Sequence, residues 1–541
     1  MKIEEKIANA GKGSITPIVR EIGLGSGSPD ALSFFAELSD YGRKENSMLL
    51  ESADIITRYG EKSIGSSEPC VKVTGRKAEF EIRALNSLGE KFIDSIADDF
   101  SFCDEVSAGK KSISGRLSQK KGSFSEEERL KLKTHADILR AIAFKLKPPK
   151  DKPLAPFAGL FGNISYDFID QFEELPENER DELKEPDYEL CFHDSLFTLD
   201  HKQKKLLLIA NALVFGEEFK EIADECEKKL DGLEKKFHSA ETIEAKQEWK
   251  AEKAKPRVST DTSEKEFVEM VKKAKENIFA GDVFQLVLSR TITSNYSAEP
   301  LEIYAELRRF NPSPYMFYLN QSTGVLLGSS PETFIRIEGN GAKTVEIRPI
   351  AGTKPRGYVN GKLDADLDSR FETELKLDEK ELAEHTMLVD LARNDVARVC
   401  KAGTRHVDKP YIVEKYSHVQ HIVSNVKGEL KEGFDALHAY LASMNMGTLT
   451  GAPKVEAMKL IRQYEKTKRG FYGGSVGYLT PAGDFDSCIA IRCMRLKNGK
   501  AVTRAGAGIV FDSVPEKEFI ESEKKARACI KAIELAESAR R

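Results

Sequence analysis

The sequence predicts an α+β protein of two domains, and three observations carry that reading. Strand-like runs alternate apolar and polar residues, and several follow one another through short turns at Gly75, PAGD and KNGK, as antiparallel hairpins do. Other stretches repeat apolar residues at spacings of three and four, as amphipathic helices do. The chain has 541 residues, more than one hydrophobic core usually serves.

Residues 1 to about 45 read as helix-prone. Met48, Leu49 and Leu50 read as a buried strand that stops at the polar Glu51 and Ser52, and CVKVTGRKAEFEIRAL reads as a hairpin. Residues 105–150 are rich in Lys, Ser and Glu and include surface loop. An amphipathic helix is expected over 125–146, with Leu130, Ile138, Leu139 and Ile142 apolar. GLFGNISYDFIDQFEEL is glycine-rich and aromatic. CFHDSLFTLDHKQKKLLLIANALV predicts two strands around a polar turn, and 217–237 predicts a helix. The apolar-poor stretch SAETIEAKQEWKAEKAKPRVS reads as a connector, dividing a first domain (1–255) from a second (262–535).

The second domain opens on a capping box, Ser263 with Glu266, before a helix that Gly281 ends. A strand follows, then a helix ending at NPSPYMFYL, where two prolines force an extended segment. VLLGSSPETFIRIEG reads as strand, turn, strand. Around EIRPIAGTKPRG a strand is expected over 345–350, stopped by Pro349 and Gly352-Thr353. A polar loop and a helix over about 376–392 come next. KYSHVQHIVSNVKGEL is a strand, and NMGTLTGAPKVEAMKLIRQYE a glycine loop feeding a helix. The last helix follows Pro515.

Composition excludes several classes. A net charge of −5 is not the basic face that general nucleic-acid binding needs. The N-terminal MKIEEKIANAGKGS lacks an apolar signal core, and no run approaches the ~18 apolar residues of a membrane span. The eight cysteines form no CxxC pair and fit reduced thiols in a cytoplasmic protein. No GxxxxGK[ST] or HExxH motif is present.

One constellation remains. Glu381, Glu384 and His385 share one side of the 376–392 helix, and Glu518 and Glu521 form a second acid pair on the last helix, with Lys525 one turn on. Two helices offering carboxylates can hold one hard cation. Mg²⁺ suits this, since it takes few protein carboxylates and completes its octahedron with water and substrate oxygens. Arg492 lies in the apolar stretch IAIRC, where a charge is either paired in the core or aimed at a ligand carboxylate. RAGAG (504–508) reads as a loop whose glycines let backbone N–H groups approach an anion. His421 is one of few polar groups in the strand VQHIV.

IRPIAGTKPRG, ELAEHTMLVDLARND, MGTLTGAPKVEAM, YGGSVGY and AGAGIVFDSVPEKEF resemble, in order and spacing, the signatures of the chorismate-utilising enzymes. The likeness is nearly continuous from about 263 to 535 and thinner in the first half, at LLESAD and GLFGNISYDFIDQFEEL. It implies large antiparallel β-sheets packed as a sandwich with helices outside, and an N-terminal regulatory domain. Within the family the chain is most similar to the anthranilate-forming branch, which converts chorismate and ammonia to anthranilate and pyruvate, the first committed step towards tryptophan. Related enzymes that activate water carry a lysine where this chain has Gln285, and the aminodeoxychorismate-forming branch has PIKGT where this chain has Ala351. Leu288, where many relatives have proline, departs without a chemical consequence.

The resemblance also implies a site. Glu384 and Glu521 would bind Mg²⁺, with Glu381 and Glu518 beside them. Arg492, Tyr472, Gly506, Ala507 and Gly508 would bind the enolpyruvyl side chain, and Gly352 and Thr353 would line the ring. His421 would be the general acid for the leaving C4 hydroxyl, with Thr448 a further catalytic residue. L-tryptophan would inhibit at Ser52 and Glu51 of LLES and at Pro314, Tyr315 and Met316, with Lys62, Val476 and Tyr478 as weaker candidates. The chain has no G-x-C-x-G nucleophile turn. Ammonia would therefore come from a separate glutamine amidotransferase subunit, giving a hetero-oligomer.

Overall fold

The computed structural model describes residues 2–52, 62–120, 122, 124–149, 156–243, 256–416 and 419–539. The expected connector falls mostly outside them. Among the described residues the fold is α+β, with two large antiparallel sheets of 12 and 13 strands, as the hairpin signals and the family likeness led us to expect. The main apolar cluster draws on both sheets, with Phe317, Leu319 and Leu326 from one and Val73, Phe334 and Ile335 from the other. The sheets therefore pack face to face. A second cluster seats helices Ala31–Leu38, Phe219–Ser239, Pro300–Phe310 and Pro515–Ala539 on the outer face of the first sheet.

Each sheet crosses the 255/262 boundary once. In the first, Met48–Glu51 pairs with Tyr315–Gln321. In the second, Gly159–Ile164 pairs with Ser475–Leu479. Everything on one side of each seam comes from the first half of the chain, and everything on the other from the second. The boundary thus divides the sequence, while the sandwich and its core are common to both halves.

Several elements differ from the local reading. The helix-prone N-terminus contains the strand Ile15–Gly23 between two short helices, held by pairing to Lys205–Leu213. The helix expected over 125–146 is two, Glu126–Lys131 and His135–Ala143. Leu132 is extended and Thr134 caps the second helix, its Oγ1 accepting from the N–H of Ala136. The stretch expected to form two strands forms three, Tyr188–His193, Ser195–Asp200 and Lys205–Leu213. No helix of the described residues is long and apolar enough to cross a membrane.

Candidate active site

The site is built where the two sheets' strands meet the helices Glu379–Val399 and Pro515–Ala539. The strand expected over 345–350 is in fact two, Thr344–Ile347 and Ile350–Pro355. Pro349 removes one donor from the ladder but does not end it, because the long strand Val419–Glu429 pairs with both pieces. Gly352 and Thr353 therefore lie inside a strand rather than closing one. The register shifts between Ala351 and Thr353, and Gly352, at φ 69°, is the bulge residue. A side chain there would be strained and would press on Leu375 and Glu381.

This bulge orients His421. Thr353 pairs with His421 across the ladder. Nδ1 of His421 lies 2.9 Å from the Gly352 carbonyl oxygen, to which it donates, and 3.1 Å from Thr353 Oγ1. That tautomer leaves Nε2 as the proton acceptor. Burial first, and the nearby Arg492 cation, hold the ring below its ordinary pKa, against the Gly352 hydrogen bond, so it is neutral at pH 7.

The helix expected over 376–392 spans Glu379–Val399, and FETELK belongs to a separate helix, Ala365–Leu377. Asp378 divides them and caps the second, accepting from the N–H of Glu381 at 3.3 Å. His385 does not join its neighbouring acids. It is fully buried, 2.7 Å from Ser424 Oγ, and burial pushes its pKa down to about 4. Glu384 instead interacts with Lys525 and Glu518 of the C-terminal helix, while Glu381 lies beside Gly352. Burial, then the charge of Glu381, raises the Glu384 pKa, with Glu518 adding to it and Lys525 opposing it. Lys525 feels Glu521, Glu384, Glu518 and Arg492, and lies 3.7 Å from Glu521. Glu384 and the acid pair of the last helix therefore converge on Lys525 from opposite ends of the second half. Among the described residues no three His, Cys, Asp or Glu side chains form a complete metal cage. A buried Glu384 whose pKa Glu381 and Glu518 help to raise fits a hard cation that keeps water and substrate among its ligands.

Arg492 lies not within a strand but between Phe485–Ile489 of the second sheet and Cys493–Lys497 of the first. It turns the chain from one sheet to the other at φ 51°, a backbone region that L-residues adopt only when held there. Its guanidinium has no hydrogen-bond or ion-pair partner among the described residues, and burial lowers its pKa. Such a cation calls for an anionic ligand. Tyr472, 4 % exposed, lies close enough to interact with it.

RAGAG is not a loop. It lies within the strand Lys500–Ile509, paired to Gln285–Asn295. Gly506 allows that close pairing, since a Cβ would meet the Leu288 carbonyl oxygen at 2.2 Å. The neighbour on the other edge, Cys493–Lys497, reaches only to Thr503. Gly506, Ala507 and Gly508 thus offer a free backbone edge, a different route to the anion contacts expected of a loop. Gln285 is buried against Gly508, with its Oε1 unpartnered among the described residues.

Sequence reasoning missed Glu332, in the turn of SSPETF. It is buried, accepts from Thr448 Oγ1 at 2.9 Å, and interacts with Lys525. Burial pushes its pKa up to about 7, against the Thr448 hydrogen bond and the Lys525 charge. A single acid in a turn has no periodicity to betray it. Thr448 itself sits in the short helix Gly447–Thr450.

The residues expected to bind an inhibitor line a separate cavity of 280 Å³. Ser52, Pro314, Tyr315 and Met316 meet there because Met316 pairs with Glu51 across the first seam. Lys62, Val476 and Tyr478 share the wall. Ser52 Oγ is buried and unpartnered among the described residues. Glu51 is committed elsewhere, accepting from Tyr304 Oη at 2.7 Å and pairing with Arg308 at 3.2 Å.

Comparison with known proteins places this geometry. A family model described as chorismate binding enzyme matches residues 102–531. Anthranilate synthase component 1 of Buchnera aphidicola subsp. Acyrthosiphon pisum is 39 % identical over 498 residues, 92 % of this chain and 93 % of that protein. The Escherichia coli K12 protein of the same name is 39 % identical over 510 residues, covering 92 % and 94 %. The crystal structure of anthranilate synthase component I from Streptococcus pneumoniae TIGR4 superposes with a TM-score of 0.65 at 29 % identity, covering 87 % of this chain and 92 % of that one. The menaquinone-specific isochorismate synthase of Escherichia coli, 17 % identical, shares the fold at a TM-score of 0.61, covering 98 % of each chain.

Proposed function

This chain belongs to the family of chorismate-binding enzymes, and from that premise we propose that it aminates chorismate and eliminates pyruvate to form anthranilate. The observation that carries this reading is the convergence on Lys525 of Arg492, Glu384, Glu518, Glu521 and Glu332. Gln285 supports ammonia as nucleophile, because a carboxamide is too weak a base to activate water, and Ala351 supports anthranilate as the product.

The unpartnered Arg492 holds the enolpyruvyl carboxylate, with Tyr472 and the free edge of Gly506–Gly508 beside it. Gly352 and Thr353 line the ring. Mg²⁺ bound by Glu384 and Glu521 would supply positive charge for the ring carboxylate. The proton chemistry favours roles different from those expected. Glu332, with its pKa pushed up to about 7, is about half protonated at neutral pH and suits the general acid for the leaving C4 hydroxyl as ammonia bonds to C2. His421, neutral with Nε2 free, suits the base that removes the C2 proton as pyruvate departs and the ring aromatises. The role first expected for His421 thus passes to Glu332, and the elimination step gains the base it lacked.

Ammonia comes from a separate glutamine amidotransferase subunit, so the working enzyme is a hetero-oligomer. L-tryptophan binds the 280 Å³ cavity at Ser52, Pro314, Tyr315 and Met316 as a feedback inhibitor. The eight free cysteines fit a cytoplasmic setting. Incubation with chorismate, Mg²⁺ and ammonium should give anthranilate fluorescence. Isochorismate, aminodeoxychorismate or no product would overturn the reading.

A further inference from the structure

Behind the substrate wall lies a buried charge cluster that none of these roles uses. Glu465 follows helix Lys454–Tyr464 and is 3 % exposed. It accepts from Arg469 Nη2 at 2.6 Å and Nε at 2.9 Å, and from Arg504 Nη2 at 2.7 Å. The N–H and Oγ of Ser289 donate to it as well, at 2.8 and 2.9 Å. Two guanidiniums share one carboxylate. Such a cluster seldom adds stability over well-packed apolar side chains, so its use lies in the geometry it fixes.

Arg469 is the member that reaches the site. Beyond its bonds to Glu465, it donates to the Leu449 carbonyl oxygen at 2.6 Å and the Val287 carbonyl oxygen at 2.8 Å. Its guanidinium lies 5.7 Å from the centre of the Tyr472 ring and 4.6 Å from that of Tyr166. Leu449 is the neighbour of Thr448, which donates to Glu332. Val287 pairs with Gly508. One side chain thus touches the turn behind the proton donor, the tyrosine of the substrate wall and the strand beside the free backbone edge.

We propose that Arg469 is a positioning residue for the chorismate site, holding the Thr448–Leu449 turn and the Tyr472 ring in the reactive geometry. This rests on the functional reading above. Lysine could not substitute, since a compact ammonium cannot span these four acceptors beside two rings.

The test compares the parent with Arg469→Lys, Thr448→Ala and the double variant, using the full chain with chorismate, Mg²⁺ and ammonium. Arg469→Lys should lower kcat about tenfold or more, while the melting temperature moves by only a few degrees. If Arg469 acts through the Thr448 turn, the double variant should be no slower than Thr448→Ala alone. Glu465→Gln, which removes the charge that anchors Arg469, should show a smaller loss of the same kind. Arg469→Lys within twofold of the parent would overturn the proposal, as would losses that simply multiply in the double variant. Failure of both Arg469→Lys and Glu465→Gln to fold would reduce the cluster to a support of the fold. A parent that makes no anthranilate overturns the functional reading itself, a separable outcome.

Discussion

Glu332 shows what single residues can and cannot declare in a sequence. A glutamate in a turn reads as solvated, and only the folded chain buries it and raises its pKa to about 7. That shift is also a statement about stability. The folded state binds this proton more tightly than the unfolded chain does. The contribution is therefore full below the ordinary glutamate pKa and is lost as pH rises to about 7. Glu332→Gln should consequently stabilise the protein at pH 8 by about 3 kcal/mol, the shift converted at 1.36 kcal/mol per unit, while abolishing anthranilate formation. Chemical denaturation at pH 5 and pH 8 checks it, and equal effects at both would refute the buried acid. His421 was legible as a candidate, but its protonation was not, because burial and the Gly352 carbonyl belong to the fold. His421→Ala should lower turnover about 10²–10⁴-fold. If the ring is the elimination base, the aminated, unaromatised intermediate should accumulate. Its absence, with chorismate left unreacted, would return His421 to the first step. His385 taught the converse, since its spacing put it with the acids and the core claimed it.

At the scale of elements, the acid helices were legible because two carboxylates one turn apart are visible in any helix. What the sequence withheld was tertiary. RAGAG looked like a loop from its glycines, yet those glycines serve a close strand pairing and a free edge. The strand before Gly352 looked finished at Pro349, yet one long partner bridges the gap. Glu521 belongs to a helix whose other face is core, and its own side chain is 44 % exposed. Glu521→Gln should therefore raise the Mg²⁺ needed for half-maximal activity by about tenfold or more while barely altering the melt. An unchanged Mg²⁺ titration would remove Glu521 from the metal. The inhibitor cavity and the site share elements, because the strand Phe485–Ile489 lines the cavity through Asp486 and Cys488 and leads into Arg492. Occupation of the cavity can bias Arg492 through that strand. Ser52→Phe, which fills the cavity, should weaken inhibition by L-tryptophan at least about tenfold and leave catalysis within a few-fold. Equal inhibition of variant and parent would take Ser52 out of the site.

The whole molecule was the least legible level, because strand pairing across hundreds of residues leaves no local mark. The connector, by its charge and lack of apolar residues, suggested a joint between two domains. The sheets nevertheless run through that joint, each with one seam between the halves. A chain beginning at residue 256 would keep every expected catalytic residue and lose five of the 12 strands of one sheet and six of the 13 of the other. Phe317, Leu319, Val476 and Leu479, each 1–2 % exposed, would lose the strands that cover them. Each such side chain costs about 1.5–3 kcal/mol to expose, and the stripped seams would also leave unpaired strand edges that invite aggregation. For these four the sum is about 6–12 kcal/mol, as large as the 5–15 kcal/mol that hold an ordinary domain. Residues 256–541 expressed alone should therefore be insoluble or lack a cooperative melt, and should form no anthranilate. Co-expression with residues 1–243 should restore a soluble pair that does, since the cut leaves the strands of both seams intact to pair again. A second half that melts cooperatively and turns over chorismate alone would show that the catalytic strands need neither seam.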